Sequence, residues 1–371
     1  MKVKKLGEFG LIERIRRFLT DKQKGKIDFI GIGDDTAVIK ILPEKYLLWT
    51  TDVLIEGIHF SRVPDPFFEL VPRAGWSSGY ILGWKSLAIN LSDIAAMGGV
   101  PKYALVTLGL KGNEDIKFVD ELYRGMKAVG QSETQILGGD ISKSPVLMIN
   151  ISVLGEVEKK NLVLRKGARP GDVICVTGFC GDSAAGFELL KCRGDIYDAH
   201  SFCHCENSDV TSKDVAISLV KKHLMPPPRL KESQVIAKNH LATSMIDNSD
   251  GLLASIKFLC QTSGVGAKIY EDKIPISQEL RNLENHPHLN PSPLRGRGGW
   301  GVNLALTGGE DYELIFTVPP HKLRDVLTKI PKLTTTPVSP VGEIVRDKKI
   351  YVFDARGKKR TLKNIGYDHF K

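Results

Sequence analysis

The sequence predicts an α+β protein of mixed α/β character that is organised as two domains. Its 371 residues are more than one hydrophobic core usually organises. Short apolar runs that are typical of strands alternate with longer segments of helical periodicity. A Pro-Gly turn at residues 170–171 precedes a new strand. We therefore place the domain boundary ahead of that turn, near Glu158, and expect domains at residues 1–158 and 159–371.

The first domain alternates strands with helices. The run SLAINLSDIAAMG, residues 86–98, has apolar residues at helical spacing and stops at two glycines, so it predicts a buried helix. The run QILGGDIS, residues 135–142, predicts a strand that ends in two glycines and an acid. The other predicted elements are helices at residues 11–19 and 116–129 and strands at residues 46–51, 104–110 and 147–154.

The second domain has helices and strands in an order that is not a strict βαβ series, which favours an α+β arrangement. Helices are predicted at residues 183–190, 229–241 and 251–262, and strands at residues 267–270, 303–307 and 311–318. Three segments have the biased composition of insertions, and we expect loops or disorder there. These segments are residues 66–83, 194–213 and 285–301.

The composition excludes several classes of protein. The chain is 42% hydrophobic and 26% charged, which is too apolar for intrinsic disorder. It contains neither an apolar run of about 18 residues nor a signal-peptide pattern, so we expect a cytoplasmic protein without a membrane partner. Six cysteines, none at a CxxC spacing, are too few for a disulfide framework and indicate a reducing compartment.

The positive charge is concentrated at one end of the chain. The formal net charge is +9, and residues 346–371 hold nine basic and three acidic side chains, a net of +6. No recognition helix, zinc-finger spacing or aromatic RNA-binding signature accompanies this basic tail. A solvated face is therefore the better interpretation, and we expect no nucleic-acid partner.

Acidic residues beside glycine or at strand ends are the recurring motif of this sequence. The usual signatures of phosphate loops, dinucleotide turns, hydrolase elbows and zinc-protease helices are not present. The acidic motifs are Gly33-Asp34-Asp35, Thr50-Thr51-Asp52, Asn90 with Asp93, Gly138-Gly139-Asp140, Gly181-Asp182-Ser183, Asp247-Asn248-Ser249-Asp250-Gly251 and Gly308-Gly309-Glu310-Asp311. Carboxylates in such apolar settings are costly unless cations compensate them, and hard oxygen ligands suit Mg²⁺ with substrate phosphates.

Each of these motifs also has a structural explanation when it is considered singly. Asp and Asn beside glycine are ordinary turn residues, and Asp182 or Ser249 could serve only as a helix cap. Asp93 is harder to explain in this way, because Asn90, Asp93 and Met97 form one stripe of an otherwise apolar helix. Several acids also follow strands, where α/β proteins collect ligands, so the joint pattern favours a metal and nucleotide-phosphate site.

Two other candidates are weaker. Cys203, His204 and Cys205, with His200 nearby, lack the second ligand pair that a zinc site requires. His59, in the run DVLIEGIHF, is on spacing alone more typical of a structural histidine.

Nine segments resemble, in chain order from residue 7 to residue 370, the thiamine-monophosphate kinase family. They are GEFGLIERI at 7–15, GIGDDTAV at 31–38, TTDVLIEGIHF at 50–60, SLAINLSDIAAMGGVP at 86–101, LGGDIS at 137–142, RKGARPGDVICVTGFCGDSAAG at 165–186, DNSDGL at 247–252, GGEDYEL at 308–314 and GYDHF at 366–370. The acidic motifs alone would suit the wider superfamily of aminoimidazole-ribonucleotide synthetase, selenophosphate synthetase and the hydrogenase-maturation dehydratase. The GEF start, NLSDIAAMG, GGEDYEL and the GYDHF ending are specific to the kinase family.

The resemblance implies a two-domain aminoimidazole-ribonucleotide-synthetase-like fold and a homodimer whose amino-terminal sheets pair. It implies ATP-dependent phosphorylation of thiamine monophosphate to thiamine diphosphate by direct in-line transfer, with several Mg²⁺ ions. Whether a monovalent cation is also required is left open. In such a transfer alignment and charge neutralisation dominate, and the acceptor phosphate is already ionised at neutral pH.

The resemblance also assigns residues. The metal-binding positions are Asp35, Thr50, Thr51, Asp52, Asp93, Asp140, Asp247 and Asp250. The nucleotide contacts are Tyr123, Gly139, Asp140, Arg165 and Ser249, and the positions that face thiamine phosphate are His59, Glu310 and Tyr367. Catalysis is expected to depend on Asp35, Asp52, Asp93, Asp247 and Arg165.

Two alternatives remain at this stage. One is another ATP-dependent synthetase or maturation enzyme of the superfamily, although the amino-terminal catalytic cysteine or cysteine tail of those branches is not seen. The other is a non-catalytic ATP- and Mg²⁺-binding protein. The insertions at 66–83 and 285–301 could reshape the site, and Asn248 stands where the family's DxSDG motif is expected to have an apolar residue.

Overall fold

The computed structural model describes residues 3–20, 29–60, 77–131, 133–192, 210–285 and 299–360. Tyr367, the cluster at 200–205 and most of the three expected insertions lie outside these residues. Within the described part of the chain, no helix combines the length and apolar character needed to span a membrane.

A six-stranded sheet forms the amino-terminal half. Its strands are β1 (Phe29–Ile30), β2 (Ala37–Leu42), β3 (Lys45–Ile55), β4 (Val100–Leu110), β5 (Gln135–Lys143) and β6 (Met148–Glu158). The spatial order is β1-β2-β3-β6-β4-β5, and all neighbours are antiparallel except the parallel pair β4 and β5. The helices of this half are α1 (Val3–Thr20), α2 (Ser78–Ala96) and α3 (Ile116–Gly130). Helix α2 packs on one face of the sheet and α3 packs against α2.

A seven-stranded sheet forms the carboxy-terminal half, in the order β13-β12-β9-β11-β7-β10-β8. Its strands are β7 (Val173–Thr177), β8 (Ser244–Asp247), β9 (Gly266–Tyr270), β10 (Leu314–Val318), β11 (Val338–Val345), β12 (Ile350–Phe353) and β13 (Lys359–Arg360). Its helices are α4 (Asp182–Cys192), α5 (Val210–Leu224), α6 (Leu230–Lys238), α7 (Leu252–Ser263), α8 (Gln278–Asn285), α9 (Trp300–Thr307) and α10 (Leu323–Thr334). Three single-turn 3₁₀ helices cover Lys159–Asn161, Glu271–Lys273 and Pro320–Lys322.

The predicted α+β class and the buried helix with Asp93 are confirmed, but several element predictions were wrong. Residues 303–307 were expected to be a strand and lie instead in α9, where Trp300, Ala305 and Leu306 are buried together. A short apolar run fits a strand or a buried helix equally well by periodicity. The Glu284 carboxylate accepts hydrogen bonds from the backbone N–H groups of Gly299 and Trp300, at 2.8 and 2.9 Å, and so caps this helix.

The boundaries of four predicted strands or insertions also differ from those in the structure. The expected insertion at 66–83 overlaps α2, which starts at Ser78 behind a Ser77 cap. Strand β10 begins at Leu314 rather than at residue 311. Strand β5 continues through Gly138 and Gly139 to Lys143, because glycine at 139 allows the close approach of β4: a Cβ there would lie 1.6 Å from the Val106 carbonyl oxygen. Residues 210–213 of another expected insertion belong to α5, and the domain boundary near Glu158 stays a prediction.

Glycine allows α2 and α3 to pack at unusually short range. A Cβ at Gly83 would lie 1.8 Å from the Leu122 carbonyl oxygen, and a Cβ at Gly125 would lie 1.9 Å from the Tyr80 carbonyl oxygen. Since these contacts are with backbone atoms, no side-chain rearrangement can relieve them. The two helices therefore hold a fixed position relative to each other, and with them the side chains that α2 presents.

We expect Gly83→Ala to destabilise the protein by about 1–3 kcal/mol, because an added methyl group must push α2 and α3 apart. Thermal unfolding measures this as a lower Tm. Gly31→Ala is the matched control, since a Cβ there meets only the Phe29 ring at 3.4 Å. Equal Tm values for the two variants would contradict the packing argument.

Candidate active site

Three carboxylates from distant parts of the chain meet between the two halves of the molecule. Asp35 precedes β2, Asp93 lies on α2, and Asp247 ends β8. One carboxylate oxygen from each lies within 4.8 Å of the other two. The first two residues belong to the amino-terminal half and the third to the carboxy-terminal half. The cluster therefore exists only when both halves are docked.

The alternation of β3 decides which of its polar residues face this cluster. Successive side chains of a strand point to opposite faces. Thr50 and Asp52 therefore share a face with buried Leu48 and Leu54, towards α2, whereas Thr51 lies on the opposite face. The Thr51 hydroxyl donates to the Ile151 carbonyl oxygen at 3.1 Å.

Short hydrogen bonds fix the carboxylates. The Thr50 hydroxyl donates to Asp93 Oδ2 at 2.5 Å, which joins β3 to α2. The Ser92 hydroxyl donates to Asp247 Oδ2 at 2.7 Å, which joins α2 to β8 across the two halves. The Ser249 hydroxyl donates to the other oxygen, Asp247 Oδ1, at 3.1 Å. Asp93 and Asp247 are thus held in place by neutral donors, which orient these carboxylates without cancelling their charge.

Burial and mutual repulsion raise the pKa values of these acids. Burial, followed by the Asp250 charge, raises the pKa of Asp52 to about 6. Burial, followed by the Asp35 charge, raises the pKa of Asp247 to about 7. The pKa of Asp93 lies well above its ordinary value, first because of burial and then because of the Asp52 charge. Asp52 and Asp250 therefore belong to the same electrostatic cluster as the three central acids.

Arg165 supplies a cation at the edge of the cluster. Its Nη2 lies 2.6 Å from Asp35 Oδ1, and its backbone N–H donates to Asp34 Oδ1 at 3.1 Å. Burial, followed by the charge of Asp35, raises the pKa of Asp34 to about 7. Among the described residues, Asp35 Oδ2 and Arg165 Nε are buried and have no hydrogen-bond partner. A carboxylate oxygen without a donor, beside several other acids, fits a hard divalent cation.

A second acidic position lies beside this cluster. Glu310 and Tyr312 follow α9 in a loop where both have left-handed backbone conformations, with φ of 64° and 51°. The Tyr312 ring is buried. This burial, followed by the charge of Glu310 and then by the charges of the neighbouring aspartates, raises its pKa. His59 is close enough to contribute to the lowered pKa of Glu310, so the structure places these two substrate candidates near each other.

His59 has a structural contact, as one of the two sequence interpretations required. Its Nδ1 accepts a hydrogen bond from the Ile55 backbone N–H at 3.1 Å. In the neutral ring the proton therefore resides on Nε2. This contact fixes the orientation of the ring.

The remaining site candidates lie elsewhere. Register places Thr51, Thr107 and Asp140 on the outer face of the sheet, opposite to α2. Gly139 neighbours Asp140 on exposed β5, and Tyr123 lies on α3, packed against the amino-terminal core. Asp140 is not one of the three central carboxylates. The metal and nucleotide roles of these residues stay predictions, and Tyr367 lies outside the described residues.

The sequence analysis assigned no role to three residues at this site: Lys85, which pairs with Glu310, Ser92 and Tyr312. Lys85 carried the same signal as Asp93, a charged residue in an apolar helix, and could have been identified in the same way. The role of Ser92 depends on the docking of β8 against α2, for which the local sequence contains no pattern.

The chain is similar to known proteins along its whole length. The family model of the AIR synthase related protein N-terminal domain matches residues 33–157, and that of the C-terminal domain matches residues 169–355. The chain is 34% identical to the thiamine-monophosphate kinase of Aquifex aeolicus over 100% of both proteins, and 34% identical to that of Escherichia coli K12 over 98% of both. A solved structure of AaThiL complexed with AMPPCP and TMP matches at 34% identity with a TM-score of 0.76, covering 100% of this chain and 99% of that chain.

We expect Asp247→Asn to raise the Tm of the metal-free protein, by an amount that grows as the pH rises from about 4 to about 7. The pKa of Asp247 is about 7 in the folded protein against 3.8 ordinarily, so the folded state holds a proton that the unfolded state releases. This carboxyl group therefore costs stability as the pH rises through that window, and the amide removes the cost.

Magnesium chloride provides the second half of this test. We expect it to raise the Tm of the unmodified protein and to have a smaller effect on Asp247→Asn. Asp325→Asn is the control, since Asp325 is exposed and pairs only with Lys329 on α10. A Tm difference that does not vary with pH would show that Asp247 is not held under electrostatic strain.

Proposed function

Because the chain belongs to the thiamine-monophosphate kinase family, we propose that it transfers the γ-phosphoryl group of ATP to thiamine monophosphate, giving thiamine diphosphate in the final step of that synthesis. The observation that supports this most directly is the cluster of Asp35, Asp93 and Asp247 between the two halves of the molecule. Such a cluster suits a reaction between two anionic phosphates, in which charge must be neutralised before the reactants can meet.

The acids are the groups that would hold Mg²⁺. Asp35, Asp93 and Asp247 supply the central oxygens, with Asp52 and Asp250 beside them. These acids would hold several Mg²⁺ ions, whose positive charge would offset that of the substrate phosphates. Asp140 and the two threonines at 50 and 51 complete the proposed metal positions. Whether a monovalent cation also participates is left to experiment.

The protein groups have positioning roles in this proposal. The Arg165 guanidinium lies at the edge of the cluster. Its Nη2 pairs with Asp35, and its Nε has no hydrogen-bond partner among the described residues, a geometry suited to binding a nucleotide phosphate. Tyr123, Gly139 and Ser249 are the further nucleotide contacts. Transfer is direct and in line, and it needs neither a protein nucleophile nor a general base, because the acceptor phosphate oxygen is already ionised. His59, Glu310 and Tyr367 face thiamine phosphate.

A homodimer is part of the proposal, and the outer face of the amino-terminal sheet supports it. Trp49, Val53, Tyr103 and Leu105 alternate with buried residues and are 36–52% exposed on that face. Apolar side chains grouped on a solvent-facing sheet are typical of an interaction surface. Two copies that pair through this face would bury it, and Thr51 and Asp140 would then lie at the pairing surface.

The enzymatic proposal is tested by direct detection of thiamine diphosphate from thiamine monophosphate, ATP and Mg²⁺. Free thiamine serves as the control substrate. We expect product from the monophosphate alone, and we expect Asp52→Asn to lower kcat/KM by about two or more orders of magnitude, since it removes charge from the cluster.

Circular dichroism and Tm establish that Asp52→Asn is folded, and Asp325→Asn is the control for a neutral surface change. Activity of Asp52→Asn close to that of the unmodified protein would rule out its metal role. ATP and Mg²⁺ binding without product would instead favour the non-catalytic protein or another superfamily enzyme.

We expect Leu105→Lys to convert the dimer into a monomer, because a charge would be buried at the pairing face. Light scattering coupled to size-exclusion chromatography measures the mass. Leu333→Lys is the matched control, since Leu333 is an exposed leucine on α10, away from that sheet. Dissociation by both variants, or by neither, would contradict pairing through this face.

A further inference from the structure

Lys85 is a buried cation in the apolar helix α2. Its side chain is 4% exposed, and its Nζ lies 3.1 Å from Glu310 Oε1. Burial of an ammonium group is costly unless a carboxylate and other acceptors compensate it. Lys85 has this compensation from Glu310, and its Nζ also lies 3.5 Å from His223 Nε2. The helix thus delivers a fixed positive charge to a glutamate on the far side of the domain junction.

His223, on α5, completes the surroundings of Glu310. Its Nδ1 lies 3.4 Å from Glu310 Oε2 and 3.1 Å from the Ser183 hydroxyl oxygen. Burial, followed by the charge of Lys85, lowers the pKa of His223 to about 3, so the ring is neutral at pH 7. An ammonium group can only donate, so Nε2 is the acceptor and the proton resides on Nδ1. The Nδ1 proton therefore bonds to the Ser183 hydroxyl, and this side of the ring also faces the Glu310 carboxylate.

The backbone limits how Glu310 can move. Its φ of 64° lies in the left-handed region, which non-glycine residues rarely adopt. Its backbone N–H donates to the Ser249 carbonyl oxygen at 2.7 Å, next to the residues of the acidic cluster. Burial is the largest single effect and opposes the ionisation of Glu310, but the charge and hydrogen bond of Lys85, together with the two neighbouring histidines, keep its pKa below the ordinary value. Glu310 is therefore a carboxylate of fixed position.

Helix α2 connects this carboxylate to the metal site. Ser92 and Asp93 lie seven and eight residues after Lys85, which places them two turns further along the same side of the helix. The helix rises 1.5 Å per residue, so Lys85 and Asp93 are about 12 Å apart along its axis. Helix α2 therefore holds Glu310 at one end through Lys85. At the other end it carries Asp93 and holds Asp247 through Ser92.

We propose that Lys85, together with His223, is a positioning residue that holds the Glu310 carboxylate as an anion for the thiamine end of the substrate. The inference rests on the proposed function. Thiamine has a positively charged thiazolium ring and an amino-substituted pyrimidine. A carboxylate anion attracts the first and accepts a hydrogen bond from the second. Lys85 thus acts on the recognition of the organic part of the substrate, and not on the phosphates.

The test is the split between kinetic parameters in Lys85→Met. We expect the KM for thiamine monophosphate to rise about tenfold or more, as for loss of a charge-assisted contact, with kcat and the KM for ATP changed less than about threefold. Lys85→Arg should restore part of the affinity, because it keeps the cation. Equal changes in both KM values would overturn the proposal.

Glu310→Gln and the double variant Lys85→Met/Glu310→Gln exclude a merely structural effect. If Lys85 acts through Glu310, the double variant binds thiamine monophosphate as well as Glu310→Gln does. It also removes the unpaired buried charge that could unfold Lys85→Met alone. A loss of affinity in the double variant equal to the sum of the losses in the two single variants would overturn the proposal. Lys268→Met is the matched control, because Lys268 makes a 2.9 Å pair with Glu343 that is exposed.

Calorimetric titration with thiamine monophosphate separates this inference from the proposed function. If the unmodified protein binds the compound but forms no product, the kinase proposal fails and the role of Lys85 is still measured by the change in Kd. If the unmodified protein neither binds nor phosphorylates it, both fail. A weaker Kd in Lys85→Met, restored in part by Lys85→Arg, supports the inference in either case.

Discussion

Repulsion among buried carboxylates is the constraint on which the rest of this structure depends. Asp35, Asp93 and Asp247 lie within 4.8 Å of one another, and Asp52 and Asp250 add to the same field. Among the described residues, Arg165 pairs with Asp35, and hydroxyl groups donate to Asp93 and Asp247. Bringing these buried carboxylates together therefore costs folding free energy. The two halves must also stay docked, because neither contains the cluster alone.

Helix α2 is the element that meets this constraint. It is buried along most of its length, and three of its polar residues are matched by different parts of the chain: Lys85 by Glu310, Ser92 by Asp247 and Asp93 by Thr50. Glycines at the contact with α3 remove the freedom of the helix to slide. The apolar residues fix the helix, and the helix in turn fixes charges of opposite sign two turns apart.

The sequence was informative where the signal was local and less so where it depended on topology. The apolar period of residues 86–98 was enough to predict a buried helix and to single out Asp93, because burial of a charge requires a partner wherever the helix lies. Residues 303–307 were assigned to a strand because an apolar run that short does not distinguish strand from helix. The faces of Thr51 and Asp140 follow from the register of β3, β4 and β5 with their neighbours, which forms only when the sheet is assembled. Lys85 was open to the same argument as Asp93.

The cap on α9 bears on how much the length of residues 286–298 matters for the fold. The Glu284 carboxylate, at the end of α8, binds the N–H groups of Gly299 and Trp300, so it holds together the two points that residues 286–298 connect. Since the cost of closing a connection grows only by about 0.6 kcal/mol for each doubling of its length, insertion or deletion there leaves the geometry of α9 nearly unchanged. Helix α9 leads directly to Glu310. A change in the length of residues 286–298 therefore costs little stability, while Glu284 still caps α9, the helix that precedes Glu310.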